Sequence, residues 1–262
     1  MGAFDFGLTS LAARRRGGGA AFSPLHLAPL AWYDPASPDT LFQDAAGTIA
    51  VTQDGDPVGR ICDRSGHGHD LMQPDPAKRP IWRQQDGRCW IESDGITQMM
   101  AADTRFGLGP NPDISVIAGL RLISATLGDH RLFHIGDGAA ARTLGGSLGT
   151  DGFAWRYNNG NAIFAQASIG EDALASWVRP AGGTYAAAQL YLNGAQHEAR
   201  SINGAANTPN ATHAAFSLFG RAGPAPIATH LRLYGLIVAG FDDGPKRARL
   251  ESWLAARAGI AL

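Results

Sequence analysis

Residues 229–239 read THLRLYGLIVA, and they change character halfway along. Leu231 and Leu233 alternate with His230 and Arg232, the period of a strand with one wet face, whereas Leu236, Ile237 and Val238 are apolar on both faces. A single strand running from a half-exposed part of a sheet into a covered part fits both halves. The cover is expected just downstream. After Gly240 and the turn formers Asp242, Asp243, Gly244 and Pro245, residues 246–258 carry Leu250, Trp253 and Leu254 at helical spacing, with Arg247, Arg249 and Arg257 opposite. The chain is therefore expected to close on a strand and a short helix packed against it.

Upstream the same period recurs in short pieces. Residues 114–123, ISVIAGLRLI, form a β-branched run suited to the middle of a sheet. Residues 131–135 and 152–158 are strands, the latter with Phe153, Trp155 and Tyr157 on one face. Residues 188–192 end in Asn193-Gly194, a strong hairpin signal, with 196–202 as the return strand. Gly and Pro number 34 and 15 in 262 residues, and their spacing punctuates short strands with tight turns. The expected fold is all-β: a two-sheet antiparallel sandwich of jelly-roll type, residues 30–262, behind an extended N-terminal arm, residues 1–29.

The arm has no sustained apolar period. Arg14, Arg15 and Arg16 followed by three glycines read as a solvated tether, while Phe4, Phe6, Leu8 and Leu11 can anchor in a groove on another protein. Docking to a partner or to a second copy is the expected role of these seven residues. With 22 basic and 23 acidic residues the formal charge is −1, which favours neither nucleic acid nor an anionic membrane as partner. No apolar run has the ~18 residues of a spanning helix. The opening residues lack a signal-peptide pattern, so cytoplasmic synthesis is expected. Cys62 and Cys89 lack metal-finger spacing and are expected to be buried free thiols.

The order AWYDP (31–35), TLFQD (40–44), DGDPVGRICDRSGHGHDL (54–71), QLYLNG (189–194), SLFGR (217–221) and RLYGLIVAG (232–240), closed by the helix RARLESWLAARAG (247–259), resembles the concanavalin A-like, laminin-G-like jelly rolls of tailed-phage and gene-transfer-agent structural proteins. The likeness spans about residues 31–260, and the front block is its specific part. It implies a fibre, spike or decoration protein of a phage-like particle that binds host surface polysaccharide, docks on capsid or tail proteins and is a homo-oligomer. Such relatives follow the Asp63-Arg64-Ser65-Gly66 turn with asparagines, where this chain has His67 and His69.

The chemistry legible in the residues is sparse. A glycosidase needs two suitably placed carboxylates, yet the glutamates Glu92, Glu171, Glu198 and Glu251 are scattered and the Glu-x-Asp-x-Glu strand of laminarinase-like enzymes is absent. The expectation is accordingly a non-catalytic protein, with a polysaccharide-degrading enzyme on the same fold as the alternative. His67, His69, Asp63 and Asp70 have metal-like density, but a Gly-rich turn accounts for them, as it does for Asp54 and Asp56; no metal and no cofactor is expected. For saccharide, Trp155, Arg156 and Tyr157 with Asn158, Asn159 and Asn161 offer flat apolar faces and planar donors. The Phe153-Trp155-Tyr157 stripe fits a core equally well, and a core is the commoner fate of such a stripe.

Overall fold

The computed structural model describes residues 21–124, 130–136, 144–148, 152–157, 160–166, 168–207, 215–221 and 227–262, with Tyr157 and Ile227 by their backbone alone. Within these the chain forms two large antiparallel sheets and one C-terminal α-helix. The eight-stranded sheet runs Ala195–His197, Gln189–Leu192, Asp172–Arg179, Ile114–Ser124, His230–Ala239, Arg88–Glu92, Ile81–Gln85, with Ala31–Tyr33 sharing a flank of the terminal strand. The ten-stranded sheet is centred on Ala154–Tyr157, Leu144–Ser147, Arg131–Ile135 and Phe216–Leu218, and ends in the short strands of the front block.

The terminal strand His230–Ala239 is central. One edge pairs with Ile114–Ser124, and the other is split between Arg88–Glu92 at its start and Ala31–Tyr33 at its end. Its register slips twice, at Ile123 on the neighbour and at Tyr234 on the strand itself, so the second bulge restores what the first displaced. The core-facing residues are therefore Leu231 and Leu233, then Leu236 and Val238, with two residues rather than one between the pairs. Ile237 points the other way, under the helix, so both apolar faces of the second half have partners.

The helix, Gly244–Ala258, starts at Asp243, whose carboxylate accepts the Lys246 backbone N–H at 3.0 Å, and stops at Gly259 in the left-handed region. Leu250, Leu254 and Ala255 bury against Ile117, Leu174 and Ile237, each leucine contributing about 1.5–3 kcal/mol. Close approach depends on Gly235, where a Cβ would fall 2.7 Å from Leu254 Cδ1. Arg247 departs from the amphipathic expectation: it is buried, pairs with Glu251 at 3.0 Å and stacks on Tyr191 at 3.2 Å, while Glu251 also accepts the Ser176 hydroxyl. Phe22 and Leu27, within the segment expected to be arm, pack against the same outer cluster.

Between the sheets, Trp155 and Trp177 clasp each other's backbone. Trp155 donates its indole N–H to Val178 O and Gln189 O, both at 3.2 Å, and Trp177 donates to Ala154 O at 3.1 Å. Phe133 lies edge-on to both rings. The Asn193-Gly194 hairpin forms as expected, both residues having positive φ. Its return strand is shorter than expected: Ala195–His197 stays in the eight-stranded sheet, while Ser201–Asn203 crosses to pair with Gly160–Ile163 in the other.

The front block is a backbone staple. Asp63 accepts from the backbone of Trp32, Ser65 and His69 and from the Ser65 hydroxyl; Asp70 accepts the Asp63 N–H and an Arg60 fork. Tyr33 donates its hydroxyl to His69 O at 2.6 Å, and Trp82 its indole N–H to Pro35 O. Asp56 and Asp94 likewise accept backbone N–H groups of their own turns. Cys62 and Cys89 are free thiols, only partly buried.

Candidate functional site

The helix covers the outer face of the eight-stranded sheet along Ile117, Leu174 and Ile237, and its last turn reaches Trp90 and Tyr234 through Ala258; beyond it Arg232 and its neighbours face outward. Four charged residues cross that part of the sheet in one row, set by strand register. Asp172 is opposite Arg121, Arg121 opposite Arg232, and Arg232 opposite Glu92. Arg121 grips Asp172 with Nε and Nη2 at 2.7 and 2.9 Å, and Arg232 Nε holds Glu92 at 2.8 Å. Above the row, Arg88 Nη1 and the Tyr234 hydroxyl also donate to Asp172, at 2.9 and 2.7 Å. Arg88 lies over the Tyr234 ring at 4.4 Å and Arg232 over Trp90 at 4.7 Å, and the two rings meet edge to face.

These contacts set the electrostatics. Burial alone would raise the Asp172 carboxyl, but donors from Arg121, Tyr234 and Arg88 outweigh it and hold it at about 2, a permanent anion near neutral pH. The Tyr234 hydroxyl is pushed up by burial and then by Asp172. Neither group exchanges a proton in the physiological range, so neither serves as a general acid or base there. What the surface provides is a polar recess. A cavity of about 390 Å³ is bounded by Asp54, Arg83, Gln84, Trp90, Glu92 and Arg232. A second, of about 160 Å³, adjoins it at Gln85, Trp90 and Arg232 and reaches Arg88, Arg121 and Tyr234. Amides, guanidinium groups and carboxylates thus line a shallow trough, with the buried Trp90 and Tyr234 rings beneath Arg232 and Arg88.

The residues proposed for saccharide from sequence do not lie there. Trp155 is 0% exposed, its ring against Phe133 and its N–H consumed between the sheets, so an outside ligand has no access to it. Arg156 is partly buried and donates to the Ser147 hydroxyl at 2.9 Å. Asn161 is partly buried, opposite Arg156 on one strand and Asn203 on the other. Asn158, Asn159 and the Tyr157 side chain lie outside the described residues, as do Phe4, Phe6, Leu8, Leu11, Arg14, Arg15 and Arg16. His67 and His69 stack at 6.0 Å on the staple, and among the described residues no group of three or more His, Cys, Asp or Glu is placed to hold a metal. Sequence reasoning missed the trough because Arg88, Arg121 and Arg232 are far apart in the chain. Its available signal was the outward parity of Arg121 and Arg232 on two strands already expected to be central.

No family model matches this chain, and no curated protein matches it in sequence. Solved structures do resemble it. A Trypanosoma rangeli sialidase in complex with sialic acid aligns with a TM-score of 0.55 at 13% identity, over 86% of this chain and 32% of that one. The receptor binding domain of botulinum neurotoxin type G aligns at 0.54 and 11% identity, covering 74% and 49%. The binding domain of Paraclostridial mosquitocidal protein 1 aligns at 0.55 and 10%, covering 77% and 51%. The chain thus spans about a third to a half of the length of these structures, and at such identities the likeness is one of fold: a β-sandwich. The expectation of a non-catalytic protein is corrected by the same neighbours. Several are sialidases, which are enzymes, so the missing paired-glutamate strand is no ground for excluding catalysis on this fold.

Proposed function

We propose that this chain recognises saccharide, and that the trough beside the C-terminal helix is its binding face. The observation that carries the reading is the trough's composition: planar amide and guanidinium donors and carboxylate acceptors around aromatic rings, in recesses on a sheet whose other half is sealed by the helix. Polyols are held by many directional bonds in such polar surroundings, and each exchange with water yields little, so single-site affinity is weak and repeated copies raise it. A neighbour solved with sialic acid and two neighbours solved as binding domains support the reading at the level of fold.

The setting we propose is a phage-like particle made in the bacterial cytoplasm, on which the sandwich is displayed in several copies toward host surface polysaccharide. The front-block resemblance supports this, and the arm, with Phe4, Phe6, Leu8, Leu11 and Arg14 to Arg16, is then the anchor to a capsid or tail partner. The test of the binding face is retention on immobilised bacterial capsular polysaccharide. Replacing the exposed Gln84 and Gln85 by alanine should weaken retention about tenfold with the melting temperature unchanged. Retention equal to that of the parent protein would move the site elsewhere. Reducing ends released from the same polysaccharide over time would register cleavage.

A further inference from the structure

Resting on the saccharide reading, we infer that the trough selects a sugar bearing a carboxylate, and that its anion sits between Arg121 and Arg232. Two like charges placed directly opposite on neighbouring strands destabilise a sheet, and here they are two arginines in mid-row. The flanking carboxylates hold each arginine from its outer side. Asp172 takes Arg121 Nε and Nη2 from one side, and Glu92 takes Arg232 Nε from the other. Arg121 Nη1 and both terminal nitrogens of Arg232 accordingly have no hydrogen-bond partner among the described residues, and both side chains line the smaller cavity. Arg88 borders it too, with Nη1 on Asp172 and with Nε and Nη2 buried away from the cavity beside Gly259.

Charge and geometry agree. Three guanidinium groups, Arg121 and Arg232 in the row and Arg88 above it, face two paired carboxylates, Asp172 and Glu92; Asp86 also lines the cavity, from the exposed turn at its rim, where water and salt screen it. An anion placed between Arg121 and Arg232 meets guanidinium donors on both sides. Guanidinium edges match two coplanar oxygens, which favours a carboxylate over the tetrahedral sulfate ester. The cavity of about 160 Å³ admits the acid group, and the adjoining one of about 390 Å³ takes the ring hydroxyls beside Gln84 and Gln85.

The test uses the full chain on an array of neutral, carboxylated and sulfated glycans, followed by titration with the best carboxylated glycan and with its methyl ester. The expected result is preference for carboxylated glycans, a loss of about tenfold or more on esterification, and weakening with added salt. Arg232→Gln should abolish that preference. Equal binding of acid and ester, or preference for neutral or sulfated glycans, would overturn this inference while leaving the saccharide reading in place. Binding to no glycan of any class would overturn the saccharide reading itself. The acid-versus-ester comparison needs no variant and stands even if Arg232→Gln fails to fold.

Discussion

The tryptophan clasp offers the sharpest test of how the sandwich is held. Trp155→Phe keeps an aromatic ring against Phe133 but removes the N–H shared by Val178 O and Gln189 O. Losing that donor inside the core costs about 1–2 kcal/mol, and the smaller ring leaves a void worth a further ~1–2, so a loss of about 3 kcal/mol is expected. Trp177→Phe, which removes the indole donor to Ala154 O, should cost a similar amount. Phe133 touches both indoles, at 5.9 and 5.7 Å, so relaxation around one void eases the other, and the double variant should fall short of the sum by about 1 kcal/mol. Urea unfolding followed by far-UV circular dichroism measures all three without relying on indole fluorescence. The reasoning fails if Trp155→Phe costs less than about 0.5 kcal/mol, the range of surface substitutions. It fails more decisively if that variant keeps full stability and loses saccharide binding, which would place the ring outside.

Further outcomes follow from other contacts. Gly235→Ala should destabilise by about 1–2 kcal/mol in thermal unfolding, because its Cβ meets Leu254; a neutral or stabilising result would show that the helix does not press on that strand. Asp63→Ala should cost about 3 kcal/mol by removing the acceptor of four bonds, whereas His67→Ala should change stability by under about 0.5; equal effects would refute the staple. The Asp172 carboxyl is depressed from 3.8 to about 2, so its stabilising contribution is complete above pH 3.8 and is lost as pH falls through about 2. The stability gap between the parent and Asp172→Asn should therefore be present at pH 6 and vanish near pH 2, and a gap independent of pH would contradict the pairing. Deleting residues 1–20 should leave a cooperatively melting β protein, since that segment carries few apolar residues and many glycines; loss of the transition would assign the arm a share of the core.

The sequence made the sandwich legible wherever periodicity and turn chemistry act locally. The half-wet, half-covered terminal strand, the Asn193-Gly194 hairpin and the closing helix each depend on a few neighbouring residues, and each is where it was expected, the helix starting two residues earlier at Gly244. What failed depends on distant partners. Arg247 looked like a solvated helix residue, but Glu251 and the Tyr191 ring receive it in the interior. Trp155 carried a sugar-like pattern with Arg156 and Asn161, yet carbonyls on the opposite sheet claim its N–H. The trough escaped for a related reason: register, which brings Arg121 opposite Arg232, is the product of two bulges that no local pattern announces.

The position of the terminal strand also governs how the molecule can form. Its partners come from the front block, from the middle of the chain and from strand Arg88–Glu92, so the slot it fills can be lined only after distant segments have met. Hairpins such as Gln189–Leu192 with Ala195–His197 close quickly on local contacts, whereas this insertion carries the loop entropy of nearly the whole sequence and is slow. Until it happens, a half-built sheet presents two unpaired edges in its middle, with Leu120, Ile91 and Tyr33 uncovered beside them. Such a slot offers unpaired N–H and C=O groups on both sides, the arrangement that lets an incomplete sheet pair with strands of other chains.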